Sequence, residues 1–347
     1  METSKPVETL RWNDGAVELL DQRLLPDQVE YLALHDAPAV AQAIRDMVVR
    51  GAPAIGVSAA YAGALSVARH YSRAAEHWRE AVEQDLALLL KARPTAVNLA
   101  WAVAQIRAAL DAGPQRPDQA VLALAKRLHA EDLAANQRMG DLGADLIEPG
   151  SAVLTHCNAG ALATAGYGTA LGVIRSAWSQ GRINRVFADE TRPWLQGARL
   201  TAWELLREGI PVSLIGDGAA AWALHRGDIQ WVIVGADRVA ANGDVANKIG
   251  TYSLAVSASY HRLGFMVVAP TSSIDLSCPS GADIPIEERA EEELLGIAGQ
   301  RFAAPGAAAW NPVFDITPAK LVQVLVTEKG LVEHPDRERI AALMAAA

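Results

Sequence analysis

The chain changes rhythm near its middle. From Pro38 to about Ile147, apolar positions recur at three- and four-residue spacing in an alanine-rich background, which predicts helices over 39–49, 54–71, 73–91, 97–112 and 117–139. Pro38, Pro53, Pro94 and Pro117 fall near the predicted starts, where proline is tolerated. Beyond Glu148-Pro149-Gly150, short apolar runs alternate with helical segments. The runs 152–156, 185–189, 212–215, 231–235, 265–269 and 322–327 predict strands in parallel βαβ units, with helices on both faces of a sheet. Ahead of all this, residues 10–12 and 16–20 flank Asn13-Asp14-Gly15, a hairpin signal, and a short strand is expected around 29–34. The fold expected is therefore α/β: a small N-terminal β-sheet plus helical domain over 1–147, then a Rossmann-like parallel α/β domain over 148–347. The acidic run 286–293 reads as a solvated loop or helix start.

Composition narrows the function. With 347 residues, half of them hydrophobic and a fifth charged, the chain can bury a large core and is not extensively disordered. A net charge of −9 with no basic stripe argues against a nucleic-acid partner. An acidic chain that handles a phosphate must therefore gather its cations locally. Cys157 and Cys278 stand outside any CxxC pair, which argues against zinc ligation and favours a reduced, cytoplasmic setting. The first residues lack a leader pattern and no apolar run has membrane-span length, so a soluble chain is expected. Neither GxGxxG nor a Walker lysine occurs, so no nucleotide cofactor is indicated; no metal is expected either.

Candidate chemistry gathers where strands end. Trp231 to Gly235 delivers Asp237, whose carboxyl should be desolvated and its pKa raised, suiting a proton donor; Arg238 is the neighbour that could cancel that shift by pairing. Asn247-Lys248 is read at the start of the following helix, with Lys248 as a mobile positive charge. Cys157 follows another strand and precedes a Gly/Ala/Thr-rich turn into a helix, whose N-terminus would lower the thiol pKa. His156 points to the opposite face and is not paired with it. Arg50-Gly51-Ala52-Pro53 joins two helical segments and can form an anion site; alone it reads more readily as a plain helix–helix turn with a surface arginine. Arg93 precedes a helix capped by Thr95 or a neighbour, and Gln196 follows the acid–base cluster Asp189 to Arg192.

Six segments in order, RGAPAIGV (from Arg50), RPTAVNL (from Arg93), THCNAGALAT (from Thr155), ADETRPWLQGARLTAWEL (from Ala188), GADRVAANGDVANKIGTY (from Gly235) and NPVFDITP (from Asn311), resemble the methylthioribose-1-phosphate isomerase family, whose fold is shared with the regulatory subunits of eukaryotic initiation factor 2B. The resemblance implies an aldose–ketose isomerase of methionine salvage, converting 5-methylthioribose 1-phosphate to 5-methylthioribulose 1-phosphate. It implies Asp237 as acid/base, Cys157 as an aid to the transition state, and Arg50, Gly51, Ala52, Arg93, Gln196, Asn247 and Lys248 as substrate-binding residues. It also implies a homodimer. Two alternatives stay open on the residues alone: a sibling isomerase acting on 5-deoxyribose 1-phosphate or ribose 1,5-bisphosphate, and a non-catalytic subunit like the initiation-factor relatives.

Overall fold

The computed structural model describes residues 7–72, 77–93, 96–297 and 299–346. The hairpin forms as its sequence dictates. Strands β1 (Leu10–Asn13) and β2 (Ala16–Leu20) pair across Asp14 and Gly15, both at positive φ (41° and 81°), the backbone that a two-residue hairpin turn needs. Strand β3 (Tyr31–Leu34) completes a three-stranded antiparallel sheet.

Five helices follow: α1 (Ala37–Arg45), α2 (Ala52–Ser72), α3 (Trp78–Ala92), α4 (Val97–Asp111) and α5 (Pro117–Ala144). Helix α2 is buried on every side from Ala52 to Val67, because its Ala, Gly and Ser positions let the other four helices close round it. The first helix stops at Arg45, short of the expected 49, and α2 begins two residues early, directly after Arg50-Gly51. Residues 73–76, expected to open the third helix, and the cap at Thr95 lie outside the described residues. Helix α5 runs five residues beyond the expected end. Gly140 and Gly143 are there for close packing on the next helix, not for termination: a Cβ would lie 2.8 Å from Ser176 Oγ at the first and 2.5 Å from a Val173 methyl at the second.

The second half runs β4 (Ser151–Thr155), α6 (Ala170–Ser179), β5 (Ile183–Asp189), α7 (Ala202–Arg207), β6 (Val212–Ile215), α8 (Ala220–His225), β7 (Trp231–Val234), β8 (Arg238–Ala240), β9 (Val245–Lys248), α9 (Thr251–His261), β10 (Gly264–Val268), β11 (Ile274–Asp275), α10 (Glu292–Leu295), β12 (Gly296–Ile297), β13 (Gln300–Arg301), β14 (Phe314–Thr317), β15 (Val324–Thr327), β16 (Gly330–Glu333) and α11 (Arg337–Ala345). The main sheet is ordered β16-β15-β10-β7-β4-β5-β6, parallel except for the edge strand β16. Counted by chain order, the parallel strands lie 3-2-1-4-5-6, so the winding direction reverses between β4 and β7. Both sheet faces are covered: along β7, Val232 and Val234 enter one apolar core and Ile233 the other.

One element was not anticipated. Strands β8, β9, β11 and β14 form a separate four-stranded sheet beside the main one. Asn247 and Lys248 therefore sit on a strand, and the helix read there starts only at Thr251. Short strands turning back at Asn242-Gly243-Asp244 carry too few residues for a periodicity to register. Among the described residues no helix is long and apolar enough to cross a membrane.

Helix α5 is tied to the loop after β4 by Asp132, whose Oδ2 accepts both Ala165 N (2.8 Å) and Asn136 Nδ2 (2.9 Å). Burial pushes this carboxyl up from 3.8 to about 6. The folded state thus holds the proton more tightly than the unfolded chain, and stability falls as pH rises from near 4 to near 6. Asp132→Asn keeps an oxygen for both donors and removes the buried charge. Urea denaturation should show it more stable than the parent at pH 8 by about 1–3 kcal/mol, with a flatter pH slope between 4 and 6. An unchanged slope would mean that this carboxyl ionises as freely folded as unfolded.

Candidate active site

In open α/β sheets, ligands bind beyond the C-terminal ends of the strands where the winding reverses. Here those ends belong to β4, which leads to His156 and Cys157, and to β7, which leads to Asp237. Two adjoining cavities occupy this crevice and share Gly51, Ala52 and Asp237 as walls. One is polar, bordered also by Arg50, Cys157, Asn158 and Asn247. The other is mostly hydrocarbon, with Ile55, Ile284, Pro285, Ile286 and Phe314, and has Arg93 on its rim.

The turn into α2 brings the helical half to the sheet. Gly51 has φ +90°, and a Cβ there would lie 2.6 Å from Ala163, so both conformation and space demand glycine. This close approach turns Arg50 inward. Its Nη1 donates to Asn158 Oδ1 (2.7 Å) and its Nη2 to Asn158 O (2.6 Å), with the residue only 8% exposed.

Cys157 is held in a left-handed backbone, φ +61°, a conformation that costs a non-glycine residue about 1 kcal/mol. Two threonines pin it: Thr191 Oγ1 accepts from Cys157 N (2.8 Å), and Thr201 Oγ1 donates to Cys157 O (2.6 Å). The expectation of a lowered thiol pKa is overturned. The segment after Cys157 makes only a short 3-10 turn, and the next α-helix, α6, begins thirteen residues on at Ala170, so the thiol does not itself open a helix. Burial pushes the thiol up, and Arg50 and Lys248 pull it back only in part. His156 does turn away from Cys157: Nδ1 lies 2.8 Å from Asp189 Oδ2, and Nε2 lies 2.8 Å from Ile249 O. That imidazole clamps the ends of β4, β5 and β9 together.

Asp237 borders both cavities, and burial pushes its carboxyl up against the pull of Lys248, Arg50 and Arg93. Arg238 does not cancel that shift; it faces Asp275 at 3.6 Å. Lys248 lies over the Phe314 ring at 4.5 Å, and Asn247 Nδ2 donates to Thr251 Oγ1 (3.0 Å). Arg93 meets Glu287 at 3.8 Å, and Glu287 in turn accepts from Arg289 Nε (2.9 Å). The run 286–293 is thus not merely solvated: it delivers an acid and a cation to the rim. Gln196 is buried in the turn between β5 and α7 but is not among the residues lining either cavity. Sequence reasoning missed Asn158, Glu287 and Arg289; Arg289, the one cation in EERAEEE, was a signal available for the last.

Charge explains the cluster. Arg50, Arg93, Lys248 and Arg289 interact with one another and with Asp237 and Glu287. Four cations face two acids when Asp237 is ionised and one when it carries a proton, and in either state the positive excess suits a phosphate dianion. His156, Asp189 and Asp217 also come within metal-binding reach of one another. Asp217 already accepts Thr191 N and Arg192 N at 2.7 Å each, and Asp189 is engaged by His156, so this group is a hydrogen-bond network.

The chain matches the Initiation factor 2 subunit family over residues 48–334. It is 58% identical over 339 residues to the methylthioribose-1-phosphate isomerase of Thioalkalivibrio sulfidiphilus, covering 97% of each chain. The chain belongs to the methylthioribose-1-phosphate isomerase family. Its likeness to the enzyme of that name from Azotobacter vinelandii is 57% over 348 residues, covering 98% of this chain and 96% of that one. Among solved structures it is similar to the 5-methylthioribose 1-phosphate isomerase of Pyrococcus horikoshii OT3, with a TM-score of 0.90 and 41% identity over 99% of this chain and 97% of that one. The translation initiation factor eIF-2B subunit delta from A. fulgidus also shares the fold, at TM-score 0.84 and 39% identity, covering 98% and 100%.

The electrostatics of this family member predict a sluggish thiol. Alkylation of Cys157 by iodoacetamide, followed by mass spectrometry, should accelerate with pH past the usual thiol range without levelling off. A plateau below pH 8 would reverse the balance between burial and the neighbouring cations.

Proposed function

We propose that this chain isomerises 5-methylthioribose 1-phosphate to 5-methylthioribulose 1-phosphate. The observation that carries the reading is that Asp237 borders two adjoining cavities, one lined by Arg50, Cys157, Asn158 and Asn247 and the other mostly by hydrocarbon with Arg93 and Arg238 among its walls. The polar cavity suits the phosphate and hydroxyls, and Ile55, Ile284, Pro285, Ile286 and Phe314 suit a thioether. A ribose 1,5-bisphosphate would bring a second dianion to that apolar wall, where the rim cation Arg93 is already opposed by Glu287. One buried polar atom on a cavity wall supports an oxygen-rich ligand: Arg93 Nε has no hydrogen-bond partner among the described residues, and a phosphate oxygen or sugar hydroxyl would satisfy it.

Because the phosphate blocks the anomeric oxygen, the sugar cannot open spontaneously. In the mechanism we favour, Asp237, its carboxyl pushed up by burial, gives a proton to the ring oxygen as the bond from that oxygen to C1 breaks. The hydrogen on C2 moves with its electron pair to C1, and the proton on the C2 hydroxyl returns to the Asp237 carboxylate. The product is the C2 ketone, and the acid is restored. The raised thiol pKa argues against Cys157 as a resting thiolate base; its polarisable sulfur instead lines the cavity where C1 becomes cationic. Arg50, Gly51, Ala52, Arg93, Asn247 and Lys248 hold the substrate in this reading.

The division of the chain after Ile147 and a homodimer belong to the same proposal. In support of the first, α1–α4 share one core and the sheet holds two others, with α5 spanning between them. In support of the second, α9 exposes Tyr252, Val256 and Tyr260 on one face, continued by Trp222 and His225 on α8. Two unpaired, buried thiols fit a cytoplasmic setting.

Wild-type protein in heavy water should form ketose from 5-methylthioribose 1-phosphate with no solvent deuterium at C1, read by NMR. Asp237→Asn should bind the sugar and form none. Deuterium at C1 would replace the hydride step with an enediol, and ketose from Asp237→Asn at the parent rate would remove Asp237 from the chemistry. Light scattering checks the dimer: Tyr260→Asp should shift the mass towards the monomer, whereas a monomeric parent would end that part of the proposal.

A further inference from the structure

We propose that Glu204 is a positioning residue that fixes the side-chain amide of Asn158 and, through it, the guanidinium of Arg50. The inference rests on Arg50 binding substrate as proposed above. Both terminal nitrogens of Arg50 end on Asn158, one on its side-chain oxygen and one on its carbonyl. A side-chain amide has an acceptor end and a donor end, and rotation exchanges them. Were Asn158 turned over, two donors would face each other and Arg50 would keep only its bond to the backbone carbonyl.

What forbids that rotation lies on the far side of the amide. Asn158 Nδ2 donates to Glu204 Oε1 (2.9 Å), where a carboxylate can only accept. The same nitrogen donates at longer range to Thr201 Oγ1 (3.2 Å), a hydroxyl able to donate as well as accept, whose own proton goes to Cys157 O. The carboxylate itself has no freedom: it also accepts from Ala161 N (2.8 Å), Leu162 N (3.1 Å) and Arg175 Nη2 (2.9 Å), and Glu204 is 1% exposed. Its seat is built for it, since a Cβ on Gly160 would lie 2.3 Å from Oε2. Neutralising Arg175 does not account for Glu204, because Glu208 already takes two bonds from that guanidinium at 2.6 Å each. Glu204 borders neither cavity, so its effect on substrate runs through Asn158.

The test exchanges the two residues' polarity. In Glu204→Gln the one remaining oxygen is drawn to the guanidinium of Arg175 and to Ala161 N, so the new donor meets the Asn158 amide; in Asn158→Asp two carboxylates meet. When both substitutions are combined, the new amide at position 204 can donate to the new carboxylate at position 158. That carboxylate still accepts from Arg50, and the pair's net charge is unchanged. Each single variant should raise KM for 5-methylthioribose 1-phosphate by about tenfold or more, the loss of one bond to a charged group, with kcat within about threefold. The swapped pair should recover most of the lost affinity. Single variants with parental KM, or a swapped pair no better than Asn158→Asp alone, would overturn the proposal. Thermal melts identify any variant that does not fold; if Glu204→Gln is one, Asn158→Asp against the swapped pair still decides. If the wild type turns over no sugar phosphate, the functional reading fails instead. Calorimetric titration of the same proteins with inorganic phosphate then reads the coupling, with the same pattern expected and an absent pattern overturning it.

Discussion

The protein depends on keeping several cations close together in a partly dry crevice. A chain of net charge −9 gathers Arg50, Arg93, Lys248 and Arg289 within reach of one another and sets Asp237 and Glu287 among them. Isolated buried charges are expensive, so each one needs a fixed partner. Arg50 has Asn158, Arg93 and Arg289 have Glu287, and Lys248 has the Phe314 face. The excess of positive charge that remains is the part left for an anionic ligand.

Holding that arrangement explains features that look unrelated. Gly51 and Gly160 leave out side chains where backbone or carboxylate must come within contact distance. Cys157 accepts a left-handed backbone, secured by Thr191 and Thr201. His156 spends both ring nitrogens on joining three strand ends. Apart from the Cys157 sulfur, these groups do no chemistry in the proposed reaction; they remove freedom from the ones that do, which is how a site lowers the reorganisation needed during a reaction.

The same crevice shows why pKa values could not be read from neighbours in the chain. Sequence adjacency suggested a helix N-terminus for Cys157 and an arginine partner for Asp237. The structure follows the thiol with a 3-10 turn and sends Arg238 to Asp275. Burial then becomes the largest influence on both groups and pushes both upward. A carboxyl and a thiol both pushed upward fit the proposed proton shuttle through Asp237 better than a thiolate base.

Periodicity and turn chemistry settled the local elements: the hairpin at Asp14-Gly15, the helical first half and the alternating second half follow from residues that interact over a few positions. The ends of β4 and β7 were equally legible, because a long apolar run that stops at a polar residue marks a buried strand leaving the sheet. Strand order, and hence the meeting of those two ends at the reversal of winding, came from packing across the whole chain. So did the sheet carrying Asn247 and Lys248, the inward turn of Arg50 and the arrival of Glu287 and Arg289 from an acidic run. Residues such as Gln196 show the limit from the other side: its type and place in the chain suggested a ligand role, yet it does not border either cavity. Sequence alone determines which residues are able to do chemistry and which segments are buried. Tertiary structure decides which of them share one low-dielectric space, because burial and charge act through distance in space and not along the chain.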